Sequence, residues 1–161
     1  MKLSKRLAEI CDMVPLCDRL TDIGTDHAKV PIEALISGKA KKGRACDIEE
    51  GPLKRAAENI QAAGLSERIE FILSDGLLAI DVSPEDVIVI TGMGGENIRD
   101  IIAASLQKVI SAKALVLGPQ RHSERLISFL LEKGFELDEE REIIDRNKKY
   151  ILIRTHFGGF K

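Results

Sequence analysis

Aromatic residues are scarce in this chain of 161 residues, which has five Phe, one Tyr and no Trp. A large platform for stacking single-stranded RNA bases is therefore not expected. Positive charge is not in excess either, because 24 Lys and Arg are balanced by 26 Asp and Glu, for a formal net charge of −2. A wholly basic surface is excluded, so any contact with nucleic acid must use local patches of Lys and Arg.

The chain also has few cysteines and no long apolar run. Cys11, Cys17 and Cys46 form no CxxC pair and no metal-ligand cluster with the three histidines, which is typical of reduced core thiols. No apolar run approaches the roughly 20 residues that a membrane helix needs, and the first residues lack the continuous apolar segment of a signal peptide. We expect a single cytoplasmic domain over residues 1–161, without membrane or metal partners.

Strand patterns alternate with helical patterns along the whole chain. Strands are predicted at 19–23, 44–48, 69–73, 87–90, 114–117, about 135–144 and 149–155. The VIVI run at 87–90 is apolar throughout, as expected for a strand buried on both faces of a parallel sheet. One continuous helix is predicted after Gly94 and Gly95, because apolar residues recur at helical spacing from Ile98 to Leu106. The pattern predicts a doubly wound α/β sheet with antiparallel character at one edge.

Acids and glycines follow the predicted strands at the points where a ligand would bind. Ligands of open α/β sheets occupy the carboxyl ends of the strands, near the switch in strand order. The residues at these positions are Asp22, Gly24, Asp26 and His27 after the first strand, Asp47 and Ile48 after the second, Asp75 and Gly76 after the third, Gly92 and Met93 after the fourth, and Pro119, Gln120 and Arg121 after the fifth. Three strand-end acids in this order indicate a nucleoside site, although each acid alone also suits a turn or a helix cap.

The strand-end residues have chemistry that suits a nucleoside. Gly24 lets the backbone approach a ligand where a side chain would block it. Asp47 stands about where a ribose-binding acid stands in nucleoside-binding folds, and its carboxylate can accept hydrogen bonds from both ribose hydroxyls. Asp75 is suited to accept a hydrogen bond from an adenine amino group. The three positions therefore predict an adenosine-containing ligand.

The loop after the first strand lacks the GxGxxG pattern of dinucleotide-binding proteins. Asp26 stands where a second glycine would be. A carboxylate at this place repels a pyrophosphate, but it does not repel a sulfonium cofactor whose methionine end carries an ammonium group. The loop thus favours S-adenosyl-L-methionine over NAD.

These residues resemble the TrmK family of bacterial tRNA adenine-N1 methyltransferases, which modify adenine 22. The resemblance runs over nearly the whole chain and rests on DIGTDHAKVPI, CDIEEGPLKRAAENI, SDGL and TGMGGENIRDII, in this order and spacing. It implies a Rossmann-like class I methyltransferase domain with a seven-stranded, mostly parallel sheet, S-adenosyl-L-methionine as cofactor and tRNA as partner. Cofactor contacts are expected at Asp22, Gly24, Asp26, Asp47, Ile48, Asp75, Gly76, Gly92 and Met93, and substrate contacts at Pro119, Gln120 and Arg121.

Two features depart from the family pattern. Family members continue into a C-terminal helical region, whereas this sequence stops at Lys161. The segment after the fifth predicted strand usually reads like QPN in the family, and here it is Gly118-Pro119-Gln120. Both departures concern recognition of the substrate more than recognition of the cofactor.

Asp26 and His27 are the candidate catalytic residues. Adenine N1 has its own lone pair, so no strong base is required, and a nearby carboxylate would stabilise the cationic product. Asp26 suits that role, and His27 suits a hydrogen bond to the base or acceptance of a proton from its amino group. Each residue has a structural alternative, as a helix cap or its neighbour. No DPPY or NPPF motif follows the fourth strand, which argues against methylation of an exocyclic amine.

Basic side chains form two groups with different expected positions. Lys39, Lys41, Lys42 and Arg44 precede or begin the second strand, so we expect them on a solvated surface at the end of the sheet away from the cofactor. Better candidates for contacts with tRNA phosphates are Lys2, Lys5, Arg6, Arg121 and Arg125.

Two other functions remain open from the sequence. The chain could methylate another RNA or a small molecule. It could also be a non-catalytic cofactor-binding module that needs a partner to bind RNA.

Overall fold

A seven-stranded sheet forms the centre of the molecule. The structure is a computed structural model that describes residues 2–25 and 27–159. Within these residues the strands are β1 (Cys17–Ile23), β2 (Ala40–Asp47), β3 (Ile69–Leu73), β4 (Asp86–Thr91), β5 (Ala114–Gly118), β6 (Phe135–Asp145) and β7 (Lys148–Phe157). Their order is β3-β2-β1-β4-β5-β7-β6. Strands β1 to β5 pair in parallel, and β7 is antiparallel to both β5 and β6. The predicted fold class is confirmed, including the terminal hairpin.

Helices cover both faces of this sheet. In the described part of the chain they are α1 (Lys5–Met13), α2 (Lys29–Ile36), α3 (Glu50–Ala62), α4 (Gly95–Ala104), α5 (Leu106–Ser111) and α6 (Ser123–Glu132). Apolar residues of α1, α2 and α3 belong to one buried cluster, and those of α4, α5 and α6 belong to the other. None of the described helices is long and apolar enough to cross a membrane.

Strand β4 shows how the sequence pattern creates two cores. All six of its residues are buried. Because successive side chains of a strand point to opposite faces, Val87 and Val89 pack into one cluster while Ile88 and Ile90 pack into the other. An apolar residue is therefore needed at each of the four positions 87–90, which explains the unbroken VIVI run.

The prediction of a single helix after Gly95 is wrong, because the segment forms two helices, α4 and α5. Ser105 ends α4 with a non-helical backbone, at φ −132° and ψ 36°, and α5 begins at the next residue. Apolar spacing continues across the break, since Ile98, Ile102 and Val109 all reach the same core. The spacing of the apolar residues therefore revealed the buried face and not the break at Ser105.

Arg44 also differs from its expected place on a solvated surface. Only 2% of its surface is exposed, and its Nε atom donates to Thr21 Oγ1 at 3.0 Å. The guanidinium pairs with Asp81 at 3.2 Å and with buried Asp86 at 3.4 Å. A buried charge is tolerated only with such partners, so Arg44 has a structural role.

The three cysteines are free, with Cys11 and Cys46 buried and Cys17 half-buried.

Candidate functional site

The carboxyl end of β1 lies at the switch in strand order, because its neighbours β2 and β4 lead to opposite edges of the sheet. Ligand sites of open α/β sheets form at this point. Backbone N–H groups of Gly24 and Thr25 both donate to the carbonyl of Cys46, at 2.9 and 2.8 Å. Gly24 has φ +74°, and a Cβ there would lie 2.9 Å from the Met93 methyl carbon. The chain thus turns sharply at Gly24 and leaves its backbone open to the crevice.

The acids predicted at the next two strand ends are held by their loops. Asp47 Oδ1 accepts a hydrogen bond from the backbone of Glu49 at 3.0 Å, which orients the carboxylate. Ser74 Oγ donates to the carbonyl of Gly76 at 2.8 Å and accepts from the backbone of Ala79 at 3.1 Å, which closes the turn that presents Asp75. Both loops are therefore stabilised by local hydrogen bonds that leave Asp47 half-exposed and Asp75 exposed.

The loops after β4 and β5 are joined by two backbone hydrogen bonds. Gln120 N–H donates to the carbonyl of Met93 at 2.9 Å, and Gly95 N–H donates to the carbonyl of Arg121 at 2.8 Å. Gly95 has no room for a side chain, because a Cβ would lie 2.4 Å from the carbonyl oxygen of His122. Gly95, the last glycine of the GMGG run, thus allows the two loops to approach closely.

A cavity of about 450 Å³ opens where these loops meet. We refer to it as the first cavity. Its lining includes seven predicted cofactor residues, namely Gly24, Asp47, Ile48, Asp75, Gly76, Gly92 and Met93. Ile48 is 62% exposed, so it offers an apolar surface to a ligand. The arrangement suits a ligand with hydroxyl and amino donors on an apolar ring.

Three residues of α4 that the sequence analysis did not assign to the site also line the first cavity, namely Asn97, Asp100 and Ile101. Asn97 and Ile101 are four residues apart and so share one face of the helix. The polar residue Asn97 on the same face as Ile101 was the signal in the sequence that this side of α4 meets a cavity.

A second cavity, of about 260 Å³, adjoins the first, and the two share Gly24, Thr91 and Gly92 in their lining. The other residues around this second cavity are Arg6, Leu7, Asp22, Lys29, Val30 and Gln120. The predicted residues Asp22 and Gln120 therefore lie here rather than at the first cavity. The sequence contained one signal that Arg6 faces inward. Arg6 lies four residues before the core residue Ile10, so the two share one face of α1.

Asp22 is a buried acid whose carboxyl group has a raised pKa. Its exposed fraction is 4%, and its Oδ2 atom accepts a hydrogen bond from Thr25 Oγ1 at 2.9 Å. Burial raises the pKa of this carboxyl to about 7; the Thr25 hydroxyl lowers it, and the charge of Asp47 raises it further. Strongly perturbed acids in clefts are typical of functional sites.

The remaining predicted residues have different surroundings. Asp26 lies outside the described residues. His27 is half-buried with φ +64°, its carbonyl accepts from Asn59 Nδ2 at 2.8 Å, and it is not among the described residues that line the two cavities. Pro119 is buried, while Arg121 is exposed at another polar cavity, of about 350 Å³, beside His122. In the described ranges, no three His, Cys, Asp or Glu side chains are grouped to hold a metal ion.

Sequence comparison relates this chain to known methyltransferases. A family model described as a methyltransferase domain matches residues 3–153. The chain is similar to the tRNA (adenine(22)-N(1))-methyltransferase of Bacillus subtilis (strain 168), with 32% identity over 158 residues, or 98% of this chain. It spans 66% of the length of that curated relative.

Solved structures share the fold over almost the entire chain. The B. subtilis M1A22 tRNA methyltransferase TrmK has a TM-score of 0.91 at 32% identity, covering 98% of this chain and 67% of that one. Streptococcus pneumoniae Sp1610 in complex with S-adenosyl-L-methionine has a TM-score of 0.92 at 34% identity, covering 99% of this chain and 75% of that one. Because sequence and fold agree at this level, the chain belongs to the TrmK family of Rossmann-fold methyltransferases.

Proposed function

We propose that this chain binds S-adenosyl-L-methionine and methylates N1 of adenine in tRNA, at position 22 by analogy with its relatives. The observation that carries this proposal is the first cavity, which gathers Gly24, Asp47, Asp75 and Met93 at the switch point of a TrmK-family fold. The domain of residues 1–161 acts as one cofactor-binding unit. A tRNA substrate implies work in the cytoplasm.

The residues of the first cavity fit an adenosine group. Asp47 would hold the ribose diol, since one of its oxygens is oriented by Glu49 and its carboxylate is half-exposed. Asp75 would accept from the adenine amino group. Ile48 and Ile101 supply apolar surface for the base.

When bound, the cofactor supplies a methyl group activated by a positive sulfur. The chain's contribution is to position the acceptor and to stabilise the charge that appears on adenine. We assign charge stabilisation to Asp26, because the product is cationic and a carboxylate favours it. His27 is the second candidate, as a hydrogen-bond partner of the base.

We place the tRNA on the exposed residues next to the cavities. Gln120 lines the second cavity, and Arg121 is exposed beside it in sequence. With a net charge of −2, few phosphate contacts are available, so binding of tRNA by this chain alone should be weak and strongly salt-dependent. The TrmK relative extends beyond the matched region, which leaves room there for further RNA contacts.

The experiment that tests this function is transfer of a labelled methyl group to unmodified tRNA, followed by identification of the modified nucleoside. The expected product is 1-methyladenosine. N6-methyladenosine or a methylated guanosine would contradict the adenine-N1 assignment. Absence of transfer with intact cofactor binding would favour a non-catalytic module.

Replacing Asp26 by Asn should lower the single-turnover rate of transfer more than it weakens binding of tRNA, because the carboxylate acts on charge that develops during transfer. Asp18→Asn, at the opposite end of β1, is the matched control for the loss of one carboxylate. Full activity in Asp26→Asn would overturn the assigned role and leave the cofactor assignment intact.

Replacing Asp47 by Ala should weaken binding of S-adenosylhomocysteine by about 1–3 kcal/mol, because two ribose hydroxyls would lose their acceptor. Isothermal titration calorimetry measures this loss directly. Asp18→Ala should bind like the wild type. An unchanged affinity in Asp47→Ala would exclude Asp47 from the ribose contact.

A further inference from the structure

The hairpin of β6 and β7 has its charges divided between its two ends. Between residues 135 and 144, β6 carries one cation, Arg141, and five acids, namely Glu136, Asp138, Glu139, Glu140 and Glu142. The tip, residues 145–149, carries one acid, Asp145, and three cations, namely Arg146, Lys148 and Lys149. A chain whose net charge is −2 therefore concentrates positive charge at the end of one hairpin.

The tip extends beyond the sheet at the edge where the two cavities open. Strand β7 is antiparallel to β5, so its amino end lies beside the carboxyl ends of the parallel strands. Pairing with β5 ends at Leu117 and Ile153, whereas β6 and β7 stay paired for five more residues, as far as Asp145 and Lys148. At a rise of about 3.3 Å per residue, the tip extends about 13 Å past Gly118, the last residue of β5. A positively charged surface thus lies beside the candidate site.

The start of α1 adds to this positive surface. The backbone N–H of Arg6 donates to Asp145 Oδ2 at 3.2 Å, so the first turn of α1 lies against the tip of the hairpin. Lys5 is exposed, and it lies four residues before Glu9, whose carboxylate pairs with Arg141 of β6. Lys5 and Glu9 therefore share one face of α1, and that face lies along β6.

Tyr150 fixes the positions of two cations. The guanidinium of Arg6 lies 5.4 Å from the centroid of its ring, and Nζ of Lys148 lies 5.2 Å from the same centroid. Each cation is attracted by the ring and keeps N–H groups that can donate to another partner.

The cations of this surface differ in how they are neutralised. Lys149 pairs with Glu142 at 3.3 Å. Within residues 2–25 and 27–159, by contrast, Lys5, Arg146 and Lys148 form no salt bridge with an acid. These three side chains therefore provide uncompensated positive charge.

The turn itself contains an unfavourable residue. Arg146 and Asn147 connect β6 to β7, with φ +53° and +63°. A two-residue hairpin loop of this kind requires positive φ at both positions, which Asn adopts readily and Arg does not. Strained backbone positions of this type cluster at functional sites. Arg146 therefore occupies the turn at a cost in stability, and that cost favours a role in binding.

We infer that Arg146 and Lys148 at the tip of the hairpin, together with Lys5 on α1, bind backbone phosphates of the tRNA substrate. This inference rests on the proposed function, because it names the surface that holds the same substrate. A polyanion fits three uncompensated cations on a protruding surface. The acids nearer the base of β6 repel phosphate, so they direct the RNA toward the edge of the sheet where the cavities open.

The test measures binding of unmodified tRNA by fluorescence anisotropy at several salt concentrations, with S-adenosylhomocysteine present. The variant Arg146→Asn/Lys148→Gln removes two charges, and Asn tolerates the positive φ of the turn. The slope of log K against log salt concentration should become shallower by roughly 1.4 to 1.8, because each lost phosphate contact removes about 0.7 to 0.9. At about 0.1 M salt the affinity should fall by roughly tenfold or more.

Lys41→Gln/Lys42→Gln is the matched control, because both lysines are exposed near the amino end of β2, at the opposite edge of the sheet. It removes the same net charge and should keep the wild-type affinity and slope. Lys5→Gln, on a different element from the hairpin, should weaken binding in the same direction by a smaller factor. Affinity for S-adenosylhomocysteine should be unchanged in all these variants, since none of the substituted residues lines either cavity.

Methylation assays give a second readout. The variant Arg146→Asn/Lys148→Gln should raise KM for tRNA and leave kcat unchanged, because phosphate contacts far from the transferred methyl group act equally before and during transfer.

Wild-type affinity and slope in Arg146→Asn/Lys148→Gln would overturn the inference. So would an equal loss in the control variant, since binding would then depend on total charge, and so would a wild type that does not bind tRNA at low salt. Hairpin-dependent binding of tRNA without formation of 1-methyladenosine by the wild type would refute the proposed function and leave the tRNA surface standing. Formation of 1-methyladenosine with an unchanged KM for tRNA in the hairpin variant would refute the inference alone.

Discussion

Replacing Gly95 by Ala is expected to lower the free energy of unfolding by about 3 kcal/mol, the scale of a severe steric insertion. The added Cβ would lie 2.4 Å from the His122 carbonyl oxygen and 3.0 Å from that of Arg121. Both atoms belong to backbone, which cannot rotate away as a side chain does. The start of α4 and the segment before α6 would have to separate, with loss of the bond from Gly95 N–H to Arg121.

Chemical denaturation monitored by circular dichroism measures this loss. Gly51→Ala is the matched control, because Gly51 also lies in the first turn of a helix and its added Cβ would make only an ordinary contact at 3.8 Å. Alanine has the higher helix propensity, so the control should be neutral or slightly more stable. Wild-type stability in Gly95→Ala would show that the two loops do not approach as closely as the distance of 2.4 Å requires.

The second large effect is a fall in stability as pH rises, caused by Asp22. Burial raises the pKa of its carboxyl from 3.8 to about 7, so the folded chain binds a proton more tightly than the unfolded chain. Stability from this group is fully present below pH 3.8 and is lost as pH rises through about 7. The total loss is about 4 kcal/mol, since each unit of pKa shift corresponds to 1.36 kcal/mol.

Asp22→Asn should remove this part of the pH dependence, because an amide does not titrate. Its carbonyl can still accept from the Thr25 hydroxyl, as Oδ2 of Asp22 does. Between about pH 5 and about pH 7.5, the unfolding free energy should fall by about 2.5 kcal/mol more in the wild type than in the variant. Asp18→Asn controls for the loss of one exposed carboxylate and should retain the wild-type slope. Identical slopes for the wild type and Asp22→Asn would exclude Asp22 as the source.

Much of the first cavity could be predicted from the sequence, because its residues follow strands. Gly24, Asp47, Asp75 and Gly92 each occupy a loop at a strand end, and parallel strands bring all such loops to one edge of the sheet. The strand pattern of the sequence, together with the rule that ligands bind at the carboxyl ends of parallel strands, was sufficient to predict these positions. The helix residues Asn97 and Asp100 were not predicted, because helical spacing alone does not tell which side of a helix meets a cavity.

The sequence by itself determined the fold class and the set of strand-end residues, since periodicity of two or 3.6 residues and loop composition are local properties. It also indicated the family, through motifs whose order is preserved. Only the tertiary structure decided that Arg44 is buried and that Arg6 faces a cavity. The sequence gives the type of a basic residue, but it does not show whether its side chain contacts water or other parts of the protein. Burial depends on which distant segments pack against it, and here Asp86 and Tyr150 made that difference.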